Sequence, residues 1–248
     1  MKSRYDIGLL LLITMIFTSC EKLDIGDCFK STGKVIIEER ESSDFEHIIL
    51  EDNINVILTQ DNSCSIRVQA GENLIGSVIT EVNNGELTIR NDNQCNWMRN
   101  YNKDINVYLS VNHLVSICYR ASGNIISTNT ITTDSLSVSV WDGSGIIDMD
   151  IQTGISVLDL HYGTVDFDIH GFTQVDYIYA ASYGPFHCQD LVSVFCFMKN
   201  KGSNDCYVNC TKVLEVEIEN IGNIYYKGDP ETIKSKITGT GRLIKLEE

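Results

Sequence analysis

The segment GIIDMDI at residues 145–151 is answered by GTVDFDI at 163–169. In both, apolar residues alternate with aspartate after a glycine, the period-two signature of a strand with one face buried and the other wetted. The motif recurs in looser form as GPFHCQD at 184–190, GSNDCYV at 202–208 and GNIYYKG at 222–228. With Gly123 at their head, these glycines stand 22, 18, 21, 18 and 20 residues apart, a mean step of 19.8. So short a period predicts stacked rungs, each made of a glycine turn, an alternating run, a polar corner and a second alternating run.

Counting from the glycines separates two faces. Ile147, Met149, Ile151, Val165, Phe167, Ile169, Phe186, Cys188, Cys206, Val208, Ile224 and Tyr226 fall on the apolar side, while Asp148, Asp150, Asp166, Asp168, His187, Gln189, Asp205 and Tyr207 fall on the other. The second runs contribute Val140, Leu160, Tyr179, Met198, Ile218 and Ile237 at comparable spacing. The expected fold is all-β: a right-handed parallel β-helix-like coil over 120–248, preceded by a β-rich N-terminal half over 34–119. One core ladder is expected to run through Met149, Phe167, Cys188, Cys206 and Tyr226. Its two cysteines would then stack as buried thiols or as a bridge between neighbouring strands, a geometry in which the disulfide dihedral is seldom met.

Before the coil, Ile48 and Leu50, then Ile54, Val56 and Leu58, then Ile66 and Val68 alternate with polar neighbours and mark short strands. Asn83, Asn84 and Gly85 between two such runs signal a hairpin. Residues 91–103 are polar and aromatic and are expected to form a loop, with Trp97 and Met98 at its tip.

The first nineteen residues are read as a leader rather than as fold. Lys2 and Arg4 precede an apolar stretch from Ile7 to Phe17 that is too short to span a bilayer. Thr18 and Ser19 then lead into Cys20, an arrangement resembling a lipoprotein signal whose cysteine becomes the acylated N-terminus. Residues 20–33 serve as a tether. The remaining chain would carry a formal charge of −16, because cleavage removes two cations and one anion from a total of −15. That charge argues against nucleic acid and anionic lipid as partners, and leaves attachment to the membrane to the acyl chains.

Eight further cysteines, Cys28, Cys64, Cys95, Cys118, Cys188, Cys196, Cys206 and Cys210, include no CxxC pair, so no structural zinc site is expected. No cofactor is implied. The most chemical-looking group is the outward set Asp148, Asp150, Asp166, Asp168, His187 and Asp205, a candidate cation or glycan surface. Trp141, Tyr162, Tyr183 and Tyr225 beside the turn glycines are candidates for stacking on sugar rings. His161 and His170 have no nucleophile at a recognisable elbow, so no triad is supported.

Several separated blocks carry a family resemblance. DFEHIILEDNINVILTQ at 44–60, IRVQAGENLIGSVITEV at 66–82, NNGELTIR at 83–90, INVYLSVNHLVSI at 105–117, ASGNI at 121–125, GNIYYKGDPE at 222–231 and ITGTGRLIKL at 237–246 resemble the head GIN domain family of autotransporter adhesins. Asp61 after Gln60, and Ala121 with Ser122, depart from the family pattern. The resemblance implies a β-rich, coil-like cell-envelope protein with no catalytic residues to transfer. The expected function is therefore a lipid-anchored, non-catalytic binding or adhesion module at the outer membrane of a Gram-negative bacterium, contacting glycan or protein. The alternatives are a polysaccharide-active enzyme using the outward aspartates, and an envelope scaffold.

Overall fold

The computed structural model describes residues 31–93 and 104–247. The leader, Cys20, most of the tether, and Trp97 with Met98 lie outside the described residues. What is described is nearly all β, with a single 3-10 turn at Ile75–Ser77. The strands wind into a β-coil of about 6 turns.

Each rung carries two strands. In the repeats, residues 155–160, 175–180, 195–200, 213–218 and β15 (Thr232–Ile237) form one parallel sheet. Residues 144–149, 164–169 and 186–188, the start of β13 (Cys206–Ile218), β14 (Ile224–Lys227) and β16 (Leu243–Lys245) form the other. Several long strands, such as β10 (Ile131–Leu160) and β11 (Thr164–Ala180), bend at a corner without interruption and serve both sheets. Neighbouring strands about 4.8 Å apart satisfy each other's backbone groups, so the coil needs no helix to cover its polar main chain.

The boundary expected between residues 119 and 120 does not coincide with a change in pairing. β2 (His47–Asp52) and β3 (Asn55–Gln60) already make a rung, on which β8 (Ser116–Ala121) and β9 (Ile125–Ser127) stack in parallel. β6 (Glu86–Asn91) and β7 (Asn106–Val111) lie on the opposite side of that rung, also in parallel. The end is closed by antiparallel strands: β5 (Val78–Asn83) on β6, β4 (Ser65–Gly71) on β7, and β1 (Val35–Arg40) on β4. The turn joining β5 to β6 has positive φ at Asn84 (52°) and Gly85 (80°), as a two-residue hairpin requires.

Register corrects the expected ladders. The buried column runs Ile125, Ile147, Phe167, Phe186, Cys206, Ile224 and Leu243. Cys188 lies beside Val208, and Met149 beside Ile169. Cys188 and Cys206 are thus not neighbours across strands, and both are buried free thiols. The cause is that the glycines mark two staggered positions on the corner: a Cβ on Gly163 would meet Gly143, and one on Gly145 would meet Gly123. A slip of two residues keeps the face and changes the partner. Phe167 and Phe186 stack inside the core with centroids 4.4 Å apart and planes 6° from parallel.

The second-run ladder needs a larger correction. Leu160, Ala180, Asn200, Ile218 and Ile237 form one column, and Leu158, Ile178, Met198 and Val216 form the next inward one. Tyr179 instead pairs with Asp159 and Lys199 and points outward. Here the slip is one residue, which flips the face. The buried Asn200 is satisfied locally, accepting from the Gly202 amide at 2.9 Å and donating to the Asn204 carbonyl at 3.2 Å.

Opposite the glycine corner the core turns polar. Thr153, Thr173 and Ser193 stack in register, and Ser156 and Asp176 stack beside them. Thr153 donates to Thr173 at 3.0 Å, and Ser156 donates to Asp176 Oδ1 at 2.7 Å. Asp176 is 2% exposed. At the far end, β15 is exposed along its whole length, with Lys234 and Lys236 on an edge that pairs with nothing beyond it among the described residues. Charged edge residues of this kind discourage sheet-to-sheet aggregation.

Candidate binding faces

The outward aspartates sit on the sheet that contains β14 and β16. Asp148, Asp168 and His187 share one column, which continues through Tyr207 and Tyr225. Asp150 lies in the next column, beside His170 and then Asp190. Asp166 pairs with Ile146, apart from the others. Asp205 is committed to its own corner, accepting from both the backbone and side-chain nitrogens of Asn223 at 2.9 Å. The six residues therefore do not form one column, because the glycine count misaligned successive rungs by up to two positions.

His170 is the group that residue counting missed on this face. Its Nε2 lies 3.6 Å from Asp148 and 3.3 Å from Asp168, so the ring is flanked by two carboxyl groups. Asp150 accepts from Thr130 at 3.0 Å, and Asp190 lies 3.7 Å from Lys227. Among the described residues no group of three or more His, Cys, Asp or Glu side chains is placed to hold a metal ion. Beyond the acids the column is aromatic: His187 stacks on Tyr207 at 5.5 Å, and Tyr207 on Tyr225 at 4.9 Å. Rings stacked along the coil turn their faces toward one another and their edges outward, so this ladder offers little free ring face to a ligand.

The outer surface of the other sheet is a better-formed site. Val157, Tyr177, Phe197, Glu215 and Lys234 make one column, and Asp159, Tyr179, Lys199, Glu217 and Lys236 the adjacent one. Between them lies a groove of about 510 Å³ that runs along the coil axis and is lined by these residues from Asp159 to Lys236. Tyr177 and Phe197 stack at 5.2 Å and form an aromatic wall. A third column, Ile155, Val175, Phe195 and Val213, extends the apolar surface beside that wall.

The opposite wall is an ion ladder. Lys199 Nζ lies 2.7 Å from Glu217 and 2.6 Å from Glu219, and Lys236 also pairs with Glu217, while the pair Lys234 and Glu215, 3.4 Å apart, continues the aromatic column. Hydrogen bonds from Lys199 and Lys236 draw the Glu217 carboxyl down to about 2. The same partners, Glu217 first and then Glu219, raise Lys199 above the usual lysine value. Unlike Glu217, Asp159 is raised: burial lifts it, against the pull of His161 and a hydrogen bond from Ser139. Past Asp159, Trp141 stacks on His161 at 4.1 Å, and His161 meets Tyr179 at 5.4 Å. Tyr162 and Tyr183 project from successive corners, 68% and 65% exposed.

Position in the charge pattern sets this groove apart. From Ala121 to Met198 the chain contains no Lys or Arg, against Asp134, Asp142, Asp148, Asp150, Asp159, Asp166, Asp168, Asp176 and Asp190. Cations resume at Lys199, inside the groove. The groove was invisible to residue counting because its walls are the outward positions of second runs, and those runs were placed out of register. The signal available was an apolar outward residue, Tyr177 and then Phe197, recurring after 20 residues.

A parallel β-coil with two decorated sheet faces defines a repeat protein that presents surface rather than an enclosed cleft. The chain belongs to the family described as "Putative auto-transporter adhesin, head GIN domain", whose model matches residues 44–230. That is the family the sequence blocks resemble. The fold is shared with solved structures. One is described as a putative adhesin from Bacteroides fragilis (TM-score 0.78, 19% identity, 86% of this chain and 97% of that one). Another is a putative adhesin from Parabacteroides distasonis (TM-score 0.66, 18% identity, 86% and 98%). A third, also from Parabacteroides distasonis, is described as a putative lipid binding protein (TM-score 0.62, 18% identity, 88% and 98%). No curated protein matches the chain.

Proposed function

We propose that this chain is a non-catalytic binding or adhesion module of a Gram-negative cell envelope, anchored at the outer membrane by acyl chains on Cys20 and contacting a surface ligand through the groove face. The observation that carries the reading is the groove itself, which crosses four inter-rung steps and sets the aromatic pair Tyr177 and Phe197 beside an ion ladder from Lys199 to Lys236. Anchoring is supported by Lys2, Arg4, the apolar run to Phe17, and Thr18-Ser19 before Cys20. The carboxyl whose proton affinity is raised furthest, Asp176, is buried away from any substrate, which favours binding over acid–base chemistry.

Two measurements test the reading. In cells fed a clickable palmitate analogue, the wild-type chain should take up label and Cys20→Ser should not; equal labelling of both would remove the anchor. Purified protein on beads should adhere to bacterial or host cell surfaces or to arrayed glycans. Absence of adhesion to every one of these would remove the binding function.

A further inference from the structure

Resting on that reading, we infer that the groove takes an extended, uncharged oligosaccharide laid along the coil axis. The direction follows from the columns. From Asp159 through Tyr179, Lys199 and Glu217 to Lys236 the groove crosses four inter-rung steps, about 19 Å at the usual strand spacing. A linear polymer is the ligand that fills a trough of that shape.

The available groups decide which polymer. Backbone N–H and C=O groups under the groove are spent between rungs, and the open edge of β15 runs across the end of the groove, so a peptide laid along the coil axis would find no strand edge parallel to it and would have its own amides facing only side chains. A sugar chain needs only side-chain partners. Lys199, Glu217 and Lys236 each keep donor or acceptor capacity after pairing, and charge-assisted hydrogen bonds to hydroxyls are the stronger kind. Across from them, Tyr177 and Phe197, stacked on one another at 5.2 Å, turn apolar edges outward and keep one free face each, toward Val157 and toward Glu215 in the same column, to pack against the C–H side of a pyranose ring.

Charge excludes the acidic and basic classes. Asp159, Glu215 and Glu217 balance Lys199, Lys234 and Lys236, so the groove is neutral within a chain of formal charge −15. No surplus cation is left to hold a uronate or sulfate, and the acidic rungs beyond Asp159 repel one. A cationic ligand would find more attraction on those rungs than in the groove.

The test is calorimetric titration with gluco-, manno- and xylo-oligosaccharides of increasing length, backed by an array that also carries acidic glycans. Affinity should rise with each added sugar until the groove is spanned and then level off. It should be nearly unchanged between low and high salt, because no net charge is neutralised. Tyr177→Ser and Phe197→Ser should each weaken binding by about tenfold or more. Circular dichroism should show both folded as the wild type, since these side chains lie on the outer face, and Tyr183→Ser serves as a folded control that keeps full affinity. Oligosaccharide binding that survives both groove substitutions would overturn the groove assignment while leaving a binding module intact. Binding confined to acidic glycans would overturn the uncharged class. Cell adhesion with no oligosaccharide bound would overturn the glycan assignment alone, and no adhesion of any kind would overturn both this inference and the function it rests on.

Discussion

Gly143→Ala should leave little folded protein at room temperature, whereas Gly76→Ala should fold normally. Gly143 has φ of 124°, and a Cβ built on it would lie 1.8 Å from the carbonyl oxygen of Ala121 on the preceding rung. The backbone conformation alone costs a side chain about 1–3 kcal/mol. The contact adds to that, because the atom struck is backbone and cannot rotate away. Relief requires the two rungs to separate, and separation breaks the parallel pairing of residues 137–143 with β8. The total should exceed about 4 kcal/mol, a large share of a domain's stability. At Gly76 a Cβ would meet no heavy atom within 4 Å, and the backbone there has no positive φ, so its substitution should stay within about 0.5 kcal/mol. Urea unfolding of both variants checks the contrast. Equal midpoints would mean that close approach at the corner does not hold the coil together.

The same corner explains how much of the fold the sequence reveals. Alternation after each glycine is a local property, so the strands, their inward faces in the first runs and the hairpin at Asn84-Gly85 are all visible in one chain. Register is not local. The extra residues in β12 (Phe186–Asn200), lying between Asp168/His170 on one side and Cys188/Val192 on the other, shift its neighbours without disturbing its own alternation. Any property that depends on which rung neighbours which is hidden by such bulges. Cys188 and Cys206 look paired because the corner glycines are staggered, and Tyr179, with Tyr177 beside it on the same face, looks buried because the step from Leu160 is 20 residues rather than 19. The antiparallel cap was hidden for a different reason. β1, β4 and β5 have ordinary half-buried patterns, and only the folded rung of β6 and β7 gives them a surface to close.

Asp176 leads to the second large effect, a stability that falls as pH rises from mildly acid to neutral. Its neighbours in sequence, QVDYIY at 174–179, suggest a solvated strand, yet register carries it inward beside Ser156 and Cys196. Burial raises its carboxyl from the usual 3.8 to about 7, against a smaller lowering by the Ser156 hydrogen bond. Burial, with the Asp176 charge adding to the effect, also keeps Cys188 and Cys196 as neutral thiols, so neither adds a second negative charge beside it. Between 3.8 and about 7 the folded chain holds a proton that the unfolded chain has released, and stability must decline with pH. The protonated carboxyl's contribution is whole below 3.8 and is lost as pH passes about 7, a difference on the order of 4 kcal/mol. Glu217 and Glu219 act in the opposite sense. Lowered by their lysine partners, they favour the fold above their ordinary carboxylate range and lose that advantage only toward acid, outside most of the Asp176 window. Asp176→Asn keeps an oxygen to accept from Ser156 and carries no charge at any pH. Urea titrations from about pH 5 to 8 should therefore show wild-type stability dropping while the variant stays nearly level, so that the variant is the more stable protein at about pH 8. Parallel curves would show that the buried carboxyl is not the group that titrates, and that the polar corner holds its charge by some other pairing.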